Sequence, residues 1–203
     1  MFIRFMINYE QKPMTKEQQI VIRLDYFTEE DFDDLISWVN HTDPAFFMKW
    51  SGPTFTYPLT IEQLHNYSEG ANKSGSDAFI FKVVVDETNE AAGHLALRNI
   101  DSYHSCARLG KVLISPDYRG KGFAKPAIRK ALEFAFEYLD LNRLALGVFS
   151  FNTPAYQLYR ETGFTEEGYF RDFRRVGDEY WDMYEMAMLK KDYIQKKEND
   201  DPA

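Results

Sequence analysis

The sequence has a single cysteine among its 203 residues, Cys106, which excludes an intrachain disulfide and with it a disulfide-stapled secreted scaffold. It also lacks any apolar run approaching the roughly 20 residues of a membrane-spanning helix. Basic residues are too few for a nucleic-acid-binding protein, because 24 Lys and Arg against 32 Asp and Glu give a formal net charge of −8. These shortages predict a cytoplasmic protein whose partners are neither nucleic acid nor membrane.

Apolar residues, by contrast, are plentiful: 44% of the chain is hydrophobic and 16% is aromatic, which excludes a disordered chain. We expect one domain over residues 20–189. Residues 1–19 are interpreted as an N-terminal extension, with disorder expected and Met14 as an alternative start. Residues 190–203 are interpreted as a charged C-terminal tail that begins as a frayed helix.

Hydrophobic periodicity along the domain alternates between strand and helix periods in the order β-α-α-β-β-β-α-β-α-β-β. Strands are predicted at 20–24, 78–85, 90–97, 107–114, 143–149, 165–171 and 179–189. Helices are predicted after the caps Thr28 and Thr60 and at 123–139 and 154–162. The aromatic stretch 44–58 is predicted to be a loop. The fold class is therefore α/β, a single domain with a mixed, mostly antiparallel central sheet flanked by helices on both faces.

The strongest local feature is a strand ending in Leu113-Ile114, followed by a glycine-bearing turn and a helix, with the turn formed by Arg119-Gly120-Lys121-Gly122-Phe123-Ala124. Such a turn aims free backbone amides at one point, and the helix N-terminus adds partial positive charge, so the pattern predicts a phosphate or pyrophosphate site. It lacks the third glycine of a dinucleotide fingerprint and the Gly-Lys-Ser/Thr end of a P-loop. Pro126 requires that the helix begin late, near Phe123, or that its first turn be distorted.

A second feature places Asn152 where a strand gives way to a helix, with Tyr159 two helical turns later. An amide at such a junction can reach a ligand backbone. On spacing alone, a core position is the more common one for Tyr159.

Taken together, Arg119-x-x-Gly122-x-Ala124 and Asn152-x-x-Ala155-x-x-x-Tyr159-x-x-x-Gly163-Phe164 resemble the acetyl-CoA-binding motifs of the GNAT N-acetyltransferase superfamily. The closing stretch is most similar to the branch that contains ribosomal-protein N-terminal acetyltransferases and spermidine acetyltransferases. The resemblance implies acetyl-CoA as co-substrate, with the pyrophosphate on the amides of the turn. It further implies that the cofactor is bound by Leu113, Ile114, Arg119, Gly120, Lys121, Gly122, Phe123, Ala124, Asn152 and Tyr159.

The resemblance also implies that a primary amine attacks the thioester directly in a ternary complex. An amide near Leu113 would stabilise the oxyanion. Tyr159 is the candidate general acid, because a phenol with a pKa near 10 is protonated at pH 7. The general base stays open between a water relay and several side chains, namely Asp101, His94, His104, Asp182 and Glu185. Ser150 is a further candidate for a polar contact in the cleft.

The acceptor class stays open as well. The branch favours the α-amine of a protein or peptide N-terminus, and a polyamine or another small amine is the alternative. An alternative of another class is a non-catalytic module that senses acyl-CoA. No metal is predicted, because the four histidines and the one cysteine show no ligand spacing. The chain is expected to be a monomer or a homodimer.

Overall fold

Seven strands and six α-helices make up the computed structural model, which describes residues 20–200. The predicted extension at 1–19 lies outside the described residues. The strands are β1 (Ile22–Tyr26), β2 (Ala78–Val85), β3 (Ala91–Asp101), β4 (Cys106–Ile114), β5 (Arg143–Phe149), β6 (Thr165–Val176) and β7 (Glu179–Leu189). The helices are α1 (Phe32–Val39), α2 (Pro44–Ser51), α3 (Ile61–Ser68), α4 (Ala124–Glu133), α5 (Thr153–Thr162) and α6 (Lys190–Asp200). No helix within residues 20–200 combines the length and the apolar character that crossing a bilayer requires.

All strands join one sheet in the order β1-β2-β3-β4-β5-β7-β6. Every neighbouring pair is antiparallel except β4 and β5, which run parallel. The predicted fold class, a mixed and mostly antiparallel sheet with helices on both faces, is confirmed. The parallel pairing is short, because only Cys106–Arg108 pairs with Arg143–Ala145 before the two strands diverge.

Hydrophobic side chains form a core on each face of the sheet, because successive residues of a strand point to opposite sides. On β3, Leu95 and Leu97 enter the core beneath α4 and α5, whereas Ala96 enters the core beneath the first three helices. The first core also buries Ile128 and Leu132 of α4, and the second is rich in aromatic residues, including Phe27, Phe32, Phe47, Trp50, Phe55 and Tyr67. The two cores hold the diverging strands rigidly from both sides.

Two predicted boundaries near the site differ from the structure. The predicted loop at 44–58 is wrong over its first half, where Asp43 accepts a hydrogen bond from the Phe46 amide at 2.8 Å and Pro44 occupies the first turn of α2. An Asp-Pro cap followed by apolar residues favours a helix over a loop. Strand β3 continues to Asp101, four residues beyond the predicted end at 97. The caps at Thr28 and Thr60 are confirmed.

Candidate active site

The divergence of β4 and β5 opens a cavity of about 140 Å³ between the sheet's two halves. Residues 109–113 of β4 and 147–149 of β5 form its two sides. Helix α2 contributes Phe46, Lys49 and Trp50, and the region of α5 contributes Asn152, Ala155 and Tyr159. The cavity therefore passes between the strands and touches helices from both faces of the sheet. It brings together Leu113, Asn152 and Tyr159, which the sequence predicted to share a site.

Strand β4 carries a bulge where it borders this cavity. His94 pairs with Leu113 and Ala96 with Gly110, so two steps along β3 correspond to three along β4. Lys111 adopts a left-handed conformation, with φ of 54°. Its carbonyl accepts hydrogen bonds from Trp50 Nε1 and from His94 Nδ1, both at 3.1 Å. A bulge of this kind re-aims the peptide groups of its strand, here at the edge that faces the gap.

The turn between β4 and α4 presents a row of free donors. The amides of Gly120, Gly122, Phe123, Ala124 and Lys125 donate to no acceptor in the described part of the chain. Gly120 and Gly122 have φ of 72° and 88°, a conformation that costs other residues energy. The Arg119 Nε donates to the Ile114 carbonyl at 2.9 Å. Such a turn at a helix N-terminus suits a diphosphate.

Charge at this turn is uncompensated. Neither Arg119 nor Lys121 pairs with a carboxylate within residues 20–200. The Arg119 guanidinium lies 5.9 Å from the centroid of the Phe46 ring, and Lys121 Nζ lies 5.6 Å from that of Tyr118. Helix α4 begins at Ala124, so Pro126 is its third residue. Proline has no amide hydrogen, but an amide in the first turn of a helix has no partner within the helix, so none is lost here. The late start expected from Pro126 is confirmed.

Asn152 and Tyr159 reach the cavity from α5. Asn152 immediately precedes the helix, its amide donates to the Phe149 carbonyl at 2.9 Å, and its side chain has no partner in the described residues. Burial raises the pKa of Tyr159 to about 12, so its hydroxyl keeps its proton throughout the physiological range. Gly163 ends α5 with φ of 109°, and its amide and that of Phe164 both donate to the Tyr159 carbonyl. Tyr159 is thus fixed at the last turn of a capped helix.

Asp101 and His104 lie away from the cavity. Asp101 pairs with Cys106 in the register of β3 and β4, seven residues from Leu113 or about 23 Å along the strand. It accepts hydrogen bonds from the His104 amide and from His104 Nδ1, both at 2.8 Å, and these hold its pKa below the ordinary value. Because β3 runs on to this hairpin, the structure does not bring Asp101 to the cavity.

The other candidate bases have structural partners. Burial lowers the pKa of His94 to about 4, and its Nδ1 is bonded to the Lys111 carbonyl, so His94 is a neutral support of the bulge. Asp182 accepts from the Tyr169 hydroxyl at 2.5 Å and from the Asp172 amide at 2.7 Å, and the Tyr169 bond lowers the pKa of Asp182.

Glu185 and Ser150 are each next to residues that line the cavity. Glu185 pairs across β5 and β7 with Gly147, a cavity residue, and its carboxylate forms a bidentate ion pair with Arg108, with Nη2 and Oε2 at 2.8 Å. Ser150 lies in the chain between the cavity residues Phe149 and Asn152, and its amide donates to the Asp182 carbonyl at 2.9 Å. Glu185 is therefore the candidate carboxylate that the structure places beside the cleft.

Sequence analysis missed Trp50 and Lys111. Trp50 lies in the segment predicted as a loop, where no pattern indicated its bond to β4. Lys111 lies inside a strand whose apolar alternation gives no sign of a bulge. Burial lowers the pKa of Lys111 to about 8, with the charge of Arg98 acting in the same direction. Among the described residues, no group of three or more His, Cys, Asp or Glu is placed to hold a metal ion.

Comparison with known proteins agrees with this geometry. The model of the acetyltransferase (GNAT) domain matches residues 22–165. The uncharacterized N-acetyltransferase p20 of Bacillus licheniformis is 30% identical over 152 residues, which cover 71% of this chain and 85% of that protein. The spermidine N(1)-acetyltransferase of Vibrio cholerae is 34% identical over 116 residues, covering 57% of this chain and 66% of that protein. The structure of the Vibrio cholerae spermidine N-acetyltransferase in complex with CoA and spermine has a TM-score of 0.72 at 26% identity, over 85% of this chain and 98% of that one.

Proposed function

The chain belongs to the GNAT acetyltransferase family, and on that premise we propose that this N-acetyltransferase acetylates the α-amine of a protein or peptide N-terminus. Acetyl-CoA is the donor, and the amine attacks its thioester directly in a ternary complex. One observation carries the proposal: Tyr159 lines the gap between β4 and β5, and the turn that follows β4 along the chain presents a row of free amides. A nucleotide thioester has its diphosphate and its reacting carbon at two such separate points.

The donor would be held along β4. Its diphosphate accepts from the free amides of residues 120 and 122–125, and Arg119 and Lys121 supply unpaired positive charge there. The pantetheine arm then lies beside residues 109–113, where β5 no longer pairs and the strand edge has donors and acceptors to offer. The Asn152 side chain is free to bond the amide groups of that arm.

Each step of the transfer has a group to assist it. Attack of the amine places negative charge on the thioester oxygen, and a backbone amide near Leu113 would stabilise that charge. Collapse of the tetrahedral species breaks the carbon–sulfur bond and leaves a thiolate. Tyr159, protonated because its pKa is about 12, donates a proton to that sulfur.

The amine must lose a proton before or during its attack. Glu185 is the candidate carboxylate that lies beside the cavity, but both of its oxygens accept hydrogen bonds from Arg108. A water that bridges the amine to Glu185 fits this arrangement better than direct abstraction. The proton therefore leaves through solvent on the side of the sheet that α2 borders.

A polyamine acceptor is the second candidate. It is favoured by the relatives of this chain that are named as spermidine acetyltransferases. Both candidates are primary amines, so the same donor site and the same proton transfers serve them equally.

The test is acetyl-CoA-dependent thiol release against a panel of peptides, amino acids and polyamines, followed by mass analysis of the products. We expect release with peptides and a mass increase of one acetyl group located at the N-terminal residue. Product found on spermidine alone would replace the first candidate with the second. Binding of acetyl-CoA without release for any amine would overturn the proposal.

A further inference from the structure

The side of the cavity that α2 borders, where the amine acceptor lies in the proposed function, is positively charged. The residues that line the cavity include Lys49 and Lys111 and, within the described chain, neither Asp nor Glu. Glu185, which pairs with the cavity residue Gly147, does not balance them, because Arg108 already occupies both of its carboxylate oxygens. A further cation, Arg98, lies under the same helices. The wall on which an acceptor would rest therefore has positive charge in excess.

Lys111 lies near the Tyr67 ring, beside a second cation. Its Nζ lies 5.9 Å from the centroid of the Tyr67 ring, and the Arg98 guanidinium lies 4.8 Å from the same ring. Arg98 is anchored by a bond from Nη1 to the Tyr67 carbonyl at 3.0 Å. Within residues 20–200 the Lys111 ammonium has neither a carboxylate partner nor a hydrogen-bond acceptor. A half-buried ammonium without a counter-ion is costly, and an arriving anion would reduce that cost.

The donor does not supply that anion. Its phosphates are bound at residues 120–125 in the proposed function, and the pantetheine arm and thioester that occupy the gap are neutral. A polycationic acceptor would bring like charge toward Lys49 and Lys111. An acceptor with a carboxylate near its amine would instead meet a lysine with no competing partner.

We propose that Lys111, at the bulge of β4, binds a carboxylate of the acceptor, so that the enzyme prefers carboxylate-bearing amines to polycationic ones. The proposal rests on the acetyl transfer of the proposed function and specifies the chemistry of its amine acceptor. The carboxylate has two possible sources, a free amino acid or an acidic side chain next to a peptide N-terminus. Both present the same group to the same ammonium.

The test uses acceptors that differ only in that carboxylate. One pair is leucine and leucinamide, a second is a peptide with Glu or Gln at its second position, and spermidine is the cationic probe. We expect kcat/KM to favour the carboxylate member of at least one pair by about tenfold or more, with spermidine poorer still. The pair that shows the preference identifies the source of the carboxylate.

Variants assign the preference to Lys111. Lys111→Met keeps the length of the side chain and should bring the ratio within a pair close to one, whereas Lys111→Arg should preserve it. Lys73→Met, on an exposed loop, removes the same charge elsewhere and should change nothing. Thermal unfolding and the Kd for CoA confirm that each variant is folded.

Each outcome of this test either supports or overturns the proposal. Equal kcat/KM within both pairs, a preference for spermidine, or a ratio that survives Lys111→Met would overturn the proposal while the acetyl transfer itself stands. If CoA binds but no amine of the panel is acetylated, the proposed function fails and this inference fails with it.

Discussion

Strand β4 passes so close to Gly93 of β3 that a single methyl group should displace it. A Cβ built on Gly93 would lie 2.4 Å from the Leu113 carbonyl oxygen. An ordinary C···O contact is about 3.3 Å, so the oxygen would have to retreat by about 0.9 Å. The neighbouring bond from the Ser115 amide to the Ala92 carbonyl at 2.9 Å opposes that movement. Gly93→Ala therefore forces the end of β4 out of position.

Gly93→Ala should lower both the stability and the activity of the protein. Overpacking of this kind destabilises by about 2 kcal/mol, which for a chain of this size lowers Tm by about 4–8 °C. A shift of nearly 1 Å at Leu113 also misplaces the strand that the donor follows, and should lower kcat/KM by about a hundredfold.

Urea unfolding measures the loss of stability in Gly93→Ala, and steady-state kinetics measure the loss of kcat/KM. The variant Gly168→Ala is the matched control. At Gly168 the nearest neighbour of an added Cβ is the Glu185 Cβ at 3.8 Å, an ordinary contact, so that variant should stay within about 0.5 kcal/mol of the parent. Equal stability and equal kcat/KM for the two variants would refute the close approach of β4 to Gly93 and the role given to the end of β4.

Three further predictions concern the bulge and the proton donor. Tyr159→Phe should lower kcat by about a hundredfold without changing the Kd for CoA. In the parent protein, deprotonation of Tyr159 should cause no loss of rate up to pH 10, because the pKa of Tyr159 is about 12. Unchanged turnover in Tyr159→Phe would contradict the general-acid role. Trp50→Phe removes a donor to the Lys111 carbonyl and should cost about 1 kcal/mol or more in urea unfolding; no loss would mean that His94 alone holds the bulge. Burial lowers the pKa of His94 to about 4, so below pH 6.5 the unfolded chain binds a proton that the folded chain does not. The free energy of unfolding should therefore drop by about 3 kcal/mol between pH 6.5 and 4. The variant His94→Gln should lack that part of the drop.

Local signals account for what the sequence predicted well. The turn from Arg119 to Ala124 and the cap at Gly163 depend on glycines with positive φ, a requirement that shows directly in the residue type. The alternation of strand and helix periods likewise gave the order of the elements, although it left out α2. That helix was missed because its aromatic residues outweighed the Asp43-Pro44 start signal.

Features that depend on tertiary contacts could not be predicted. Asp101 was a reasonable candidate base until the register placed it at the far hairpin of β3 and β4. The bulge at Lys111 exists because Trp50 and His94, distant along the chain, both donate to one carbonyl. The partner of Glu185 is likewise invisible in the sequence, since Arg108 is 77 residues away.

The central claim is that the free amides after β4 bind the diphosphate of a nucleotide thioester. Calorimetric titration of the folded protein with CoA, and in parallel with pantetheine, which lacks the diphosphate and the 3′-phosphoadenosine attached to it, tests it most directly. We expect CoA to bind at least about a hundredfold more tightly than pantetheine. Absence of CoA binding, or equal affinity for the two compounds, would contradict the claim.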